Sequence, residues 1–351
     1  MEFLGSLSVT LEDIQQRKAG RATGFCIGTT RKSEGLDYFF TPTRESPEAI
    51  VGSVVVASVE TAGLLAEALD GRVDYLFVDV ENKISSDSGE GISIEAPVRK
   101  LLRHSKFLPY KSNDLTVDAI EKAITAWFSL HKRSMEGTSI AIIGCGNIGS
   151  KLALRMVEMG VEARLYRRST GALETVAAGI NAIKSAETNA NAISFSDPLQ
   201  AAENADIVIG LAPGVPVVGS ETIKRMKKDG LIIDGGKGCI TAEAIQLARE
   251  RGITTLRADI RAAFSGLVTS LLAAERMFAH GLKIRQMGQH TVVSAGLLAL
   301  VGEIIVLDTD SPTRIIGIAD GTGELHRFLS AEQQRILDEV AKGLTDNPAG
   351  Q

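Results

Sequence analysis

The chain has 351 residues, of which 44% are apolar and 23% charged, with a net charge of −5 and a pI near 5.7. That length suits two domains, and the absence of a dense basic block or an aromatic-rich basic stripe argues against a nucleic-acid surface. Cys26, Cys145 and Cys239 are far apart and form no CxxC or Cys/His cluster, so neither a disulfide framework nor a metal site is expected, in keeping with a reducing compartment. The start, MEFLGSLSVTLEDIQQRK, lacks the basic-then-apolar pattern of a signal peptide. The longest apolar run, 292–307, is broken by Gly296, Gly302 and Glu303 and falls short of a membrane span. A soluble cytoplasmic protein is expected, without a membrane or nucleic-acid partner.

The first segment reads as α/β. Strand-like runs are RATGFCIG (21–28), LDYFF (36–40), SVVVASV (53–59) and DYLFVDV (74–80). Helical patterns fall at 61–70 and 95–104. SSDSGEG (85–91) has loop composition. A long amphipathic helix follows at 115–134, with Ile120, Ile124, Trp127 and Phe128 on one face and Asn113 or Asp114 as its cap. MEG (135–137) ends it and is the expected hinge.

From Thr138 the alternation is regular. Strands are expected at 139–143, 162–166, 192–196, 206–211, 231–234 and 254–259, with helices at 148–159, 171–186, 198–204, 220–228 and 241–251. Short apolar strands separated by helices are the pattern of a parallel sheet covered on both faces. Beyond Ile260 a helix at 265–279 leads to apolar runs, and a last helix is expected at Ser330 with Gln333 completing a capping box.

SIAIIGCGNIGS (139–150) joins an apolar strand to a helix through Gly144, Gly146 and Gly149, spaced G-x-G-x-x-G. In that context the first glycine makes the tight turn, the second lets a pyrophosphate approach the backbone, and the third lets helix and strand pack closely. The helix start, Asn147 and Ile148, offers free N–H groups to phosphate. The second strand then ends in YRRST, where an acid that accepts from a ribose 2′-hydroxyl is usual. Arg167 and Arg168 stand there instead, with Ser169 beside them, and guanidinium forks suit a 2′-phosphate. The expected cofactor is therefore NADP. Ala212, Pro213 and Gly214 after the fourth strand, and Asp234, Gly235 and Gly236 after the fifth, complete the expected cofactor set.

This order and these motifs resemble the amino-acid-dehydrogenase-like group of Rossmann enzymes, which includes shikimate, methylene-tetrahydrofolate and alanine dehydrogenases. The motifs are MEGTSIAIIGCGNIGSKLALRM, ADIVIGLAPG and GLIIDGGKG, and the likeness covers 110–260. LPYKSND (108–114) is similar to the P-x-K segment that carries the catalytic lysine of shikimate dehydrogenase, although that family's Asn-Thr-Asp signature is missing. The resemblance implies an N-terminal α/β catalytic domain over 1–136, a doubly wound parallel NADP-binding domain over 137–280, and a C-terminal segment, 281–351, that packs back on the first.

Hydride transfer needs a proton donor and a group that holds the substrate. Lys83, directly after a strand, and Lys111 with Asp114 as an acid–base pair are the catalytic candidates. Lys237, Asp259 and Arg261 lie on the nucleotide side, and His290 is a histidine among apolar neighbours. The expected activity is NADP-dependent hydride transfer to or from a C=O or C=N of a small polar metabolite. A redox-neutral lyase resembling ornithine cyclodeaminase and a nucleotide-sensing binding protein are the alternatives. A homo-oligomer, a dimer first, is the expected assembly, and no metal is expected.

Overall fold

The computed structural model describes residues 2–30, 37–81, 84–85, 90–307, 309 and 314–345. Two compact units result, 1–268 and 269–351. The expected boundary at 136/137 lies inside the first unit, and the division falls at 268/269 rather than 280/281. Among the described residues no helix is long and apolar enough to cross a membrane.

The first unit opens with α1 (Glu2–Arg17), β1 (Ala22–Thr29), β2 (Tyr38–Glu45), β3 (Ala49–Val56), α2 (Val59–Leu69) and β4 (Tyr75–Asp79). A two-strand ladder follows, β5 (Ile84–Ser85) with β6 (Gly91–Ile92), then α3 (Glu95–Leu101), β7 (Lys106–Tyr110) and α4 (Ser112–Leu130). The strands order as β2-β3-β1-β4-β7. All neighbours are parallel except β2 with β3. Thr29, Val56, Asp79 and Tyr110 therefore end at one edge.

One face of this sheet is filled by Phe25, Ile27, Ile50 and Val54 against Leu7, Leu11 and Ile14 of α1 and Leu65 and Leu69 of α2. The sequence reading missed α1, although Leu7, Leu11 and Ile14 fall at helical spacing. It also missed β7, which turns the LPY of LPYKSND into the fifth strand.

The second sheet contains β8 (Ser139–Ile143), β9 (Glu162–Tyr166), β10 (Ala192–Phe195), β11 (Ile207–Gly210), β12 (Leu231–Asp234) and β13 (Thr254–Arg257). Between them run α5 (Asn147–Glu158), α6 (Thr170–Ile183), α7 (Pro198–Ala201), α8 (Ser220–Arg225) and α9 (Ala242–Glu250). The order is β10-β9-β8-β11-β12-β13, all parallel. This is the doubly wound arrangement with its switch point between β8 and β11. Each of the six expected strands is present.

The long helix α4 belongs to this second core. Ile120, Ile124, Trp127 and Phe128 pack with Ile140, Ile142, Leu152 and Met156. The Trp127 indole N–H donates to Thr254 Oγ1 at 3.0 Å. It begins at Ser112 with Lys111 at the cap position, and neither Asn113 nor Asp114 caps it. Instead, carboxylates from the end of β4 accept its first N–H groups. Ser112 N–H donates to Asp79 Oδ1 (3.4 Å), and Asn113 N–H to Glu81 Oε2 (2.7 Å).

α10 (Arg261–Arg276) contains the division between units. A π-helical turn (Met277–Gly281) follows, then β14 (Ile284–Met287), β15 (His290–Ser294), β16 (Ile304–Val306), β17 (Ile315–Ile318) and α11 (Ala331–Thr345). The strands form a sheet in chain order, with β15 and β16 parallel and the outer pairs antiparallel. Val340 of α11 packs on Val292, Ile304, Val306 and Ile318. The expected capping box is formed: Gln333 N–H donates to Ser330 Oγ (3.1 Å), and Ser330 N–H to Gln333 Oε1 (2.9 Å).

Gly52 marks the closest packing of α1 on its sheet. A Cβ there would lie 2.8 Å from atoms of Ile14, Phe25 and Thr10. Gly52→Val overpacks this contact and is expected to destabilise the protein by about 1–3 kcal/mol, read by urea unfolding.

Candidate functional site

β8 is buried along its whole length and runs into the three glycines. Each glycine has a distinct steric reason. Gly144 has φ +97°, and a Cβ there would lie 2.9 Å from the Leu211 carbonyl carbon. Gly149 faces Ile142 at 3.0 Å and Leu211 at 3.3 Å, so α5 lies close against the sheet. A Cβ at Gly146 would meet nothing within 4 Å, which leaves that backbone open. The turn therefore has the three properties that a phosphate cradle needs.

The cradle opens on a cleft of about 990 Å³. Its walls contain Gly144, Gly146, Asn147, Ile148 and Gly149 from the turn, Arg167, Arg168 and Ser169 after β9, and Ala212 and Pro213 after β11. Thr30 and Asn113 line it from the first sheet's side. The Asn113 side-chain amide donates to Asn147 Oδ1 at 3.2 Å. Cys145 also lines the cleft, and burial pushes its thiol pKa up, which keeps it protonated.

Arg167 is half-buried and Arg168 exposed, and neither has a carboxylate partner among the described residues. No acid takes the position that follows β9. Four other expected residues do not line the cleft. Gly214 (φ +65°) turns the chain beside Pro213. The Asp234 carboxylate accepts N–H groups of Gly238 (2.7 Å) and Cys239 (3.3 Å), closing the turn after β12. Gly235 and Gly236 are hemmed in by Leu211 and Cys239 at 2.5 Å from a Cβ position, so tight packing accounts for them.

Lys83 lies outside the described residues. Lys111 is 60% exposed, with its ammonium 4.0 Å from Asp114. The principal cation at Asp114 is instead Lys151 of α5, which also stands 3.6 Å from Glu81. The pairing of Lys111 with Asp114 is thus shared with a third residue that the sequence reading missed. Asp79 is fully buried and accepts from Thr29 Oγ1 (2.6 Å) and Ser112 Oγ (2.7 Å). The signal for Asp79 and Glu81 was the run VDVE at a strand end, but only the fold shows what they hold.

Among the remaining candidates, Arg261 is 83% exposed and pairs with Asp259, Lys237 has φ +61° in the turn after β12, and His290 Nε2 lies 3.3 Å from Glu339. Among the described residues no group of three or more His, Cys, Asp or Glu is placed to hold a metal.

Residues 116–252 match the family model described as D-isomer specific 2-hydroxyacid dehydrogenase, NAD binding domain. No curated protein sequence matches the chain. Similar solved structures include a dipicolinate synthase from Bacillus halodurans, at 15% identity and TM-score 0.36, covering 72% of this chain and 97% of that one. L-tryptophan dehydrogenase from Nostoc punctiforme aligns at 14% identity and TM-score 0.43, covering 74% and 78% respectively. Ornithine carbamoyltransferase from Gloeobacter violaceus aligns at 14% and 0.43, covering 76% and 93%.

The cradle is tested by two glycine variants. Gly146→Val fills the open backbone and is expected to abolish dinucleotide binding, measured by calorimetric titration, with the melting temperature unchanged. Gly144→Ala is expected to lower stability as well, because φ +97° and the Leu211 backbone both oppose a Cβ. Cofactor binding that survives Gly146→Val would place the cradle elsewhere. From its sheet order, its glycine turn and the matching family model, the segment 116–252 is a nicotinamide-dinucleotide-binding Rossmann domain of the kind carried by dehydrogenases.

Proposed function

We propose that the protein is an NADP-dependent oxidoreductase that transfers a hydride to or from a C=O or C=N of a small polar metabolite. The observation that carries the cofactor choice is the pair Arg167 and Arg168 in the cleft wall, with no carboxylate beside them. An NAD site presents an acid there, which would repel a 2′-phosphate. Two guanidinium groups attract it, and Ser169 adds a hydroxyl donor. Gly144, Gly146 and Gly149 with the start of α5 hold the pyrophosphate. When bound, the nicotinamide supplies or accepts the hydride.

The chain's own residues then bind and orient the substrate and move a proton. Thr30 and Asn113 bring the first sheet's edge to the cleft. Lys111, at the end of β7, is a proton donor in this reading, with Lys83 as the other candidate. Asp114 and Glu81 draw Lys151 toward the same edge. Self-association of the chain belongs to the same reading.

Arg167→Asp replaces a charge-assisted contact with a repulsive one. NADP affinity is expected to fall by roughly 10- to 100-fold, equivalent to about 1.5–3 kcal/mol, with NAD affinity unchanged or improved. Equal NADP affinities in the two proteins, titrated by fluorescence, would overturn the cofactor assignment.

Lys111→Met keeps the stem and removes the charge. If Lys111 donates the proton, kcat falls by about 10²–10⁴ while NADP affinity stays near wild type. A silent Lys111→Met, together with a silent Lys83→Met, would move the donor to the nucleotide side.

A further inference from the structure

The sheet of the second unit is covered unequally. α11 packs on one face, over Val292, Ile304, Val306 and Ile318. The opposite face carries Val293 and Ile305, and what lies over it is the crossover between parallel β15 and β16. A parallel crossover is usually a helix. Here it is an irregular segment, AGLLALVGE, with Leu297 and Ala299 turned onto the sheet.

Its other side chains point out. Leu298 is 87% exposed, Leu300 72% and Val301 68%. Ile284 sits opposite Val293 on the antiparallel β14–β15 pair, hence on this same face, and is 60% exposed. The segment is held in place rather than loose. Leu300 N–H donates to Glu303 Oε2 at 2.8 Å, Gly302 N–H to the Ala319 carbonyl at 2.9 Å, and the turn at Gly321 lies against Val301.

We propose that this face is the contact between two copies of the chain, an isologous dimer interface centred on Ile284, Leu298, Leu300 and Val301. The inference rests on the reading of the chain as self-associating and gives that reading a surface. Two arguments select a second copy as the occupant. Residues 295–302 contain no charged side chain, so the patch meets its own image without like-charge repulsion, which an isologous contact requires. The area is also of the right order. Four such side chains expose on the order of 100 Å² each. A standard contact of about 800 Å² per partner is a little over half apolar, so it needs roughly 450–500 Å² of apolar surface.

Sedimentation velocity of the full chain, from sub-micromolar to tens of micromolar, tests this. The wild type is expected to be a dimer. The double variant Leu298→Asp, Leu300→Asp is expected to sediment as a monomer, with the dimer constant weakened by about 100-fold or more. Retained circular dichroism establishes that the variant is folded, and if it is not, Val301→Lys supplies the same readout with one charge. A wild type that stays monomeric throughout overturns the proposal, as does a dimer that survives the charged variants. NADP titration of the same samples separates the two readings: a wild type that binds no cofactor would refute the proposed function and leave the sedimentation result standing.

Discussion

The carboxylates at the end of β4 are the constraint on which the arrangement of the first unit depends. α4 starts without a side-chain cap of its own, so its leading N–H groups require acceptors from elsewhere. Asp79 and Glu81 supply them. Because α4 lies in the core of the second sheet, this capping joins the edge of the first sheet to the nucleotide domain. Lys151, one turn beyond the glycines, reaches the same Glu81 and also Asp114. One helix start is thus stabilised by a strand end, and that same strand end is held to the helix that begins at the phosphate cradle. Arg155 repeats the pattern a turn later, pairing with Asp118 and Glu121 of α4.

Much of the second sheet was legible because its evidence is local. Strands such as SIAII and DIVIGL are short apolar runs, the glycine turn has fixed spacing, and each helix has its own period. The place of α4 was harder to read. Its apolar face was evident in Ile120, Ile124, Trp127 and Phe128, but a periodic face does not say which core it fills. α1 and β7 were missed for different reasons. α1 alternates small and polar residues among its leucines, and β7 contains Lys106 and Pro109, which disguise a strand.

The site divided along the same line. Glycines and arginines placed by chain position reached the cleft, since a strand end fixes where the next residues go. Asp234, Gly235 and Gly236 follow a strand too, yet Leu211 and Cys239 crowd them and the Asp234 carboxylate turns back on its own loop. The distinction rests on packing between β11 and β12, which no single segment encodes. Lys151 was unreadable because its partners lie on α4 and beyond β4, and only their meeting gives it a role.

Trp127 is the single tryptophan of the chain, and its place gives the molecule a built-in reporter. The indole is 5% exposed, stacks edge-on against Phe128 with ring centres 5.0 Å apart, and lies 5.2 Å from the Arg133 guanidinium. Its emission therefore arises from one buried environment, on the helix that the first sheet caps and the second sheet packs. Loss of that environment signals the undocking of α4, while the second unit, which contains no tryptophan, stays optically silent. A reduced nicotinamide absorbs where tryptophan emits, so occupancy of the cleft is readable as quenching of this one indole, without a label.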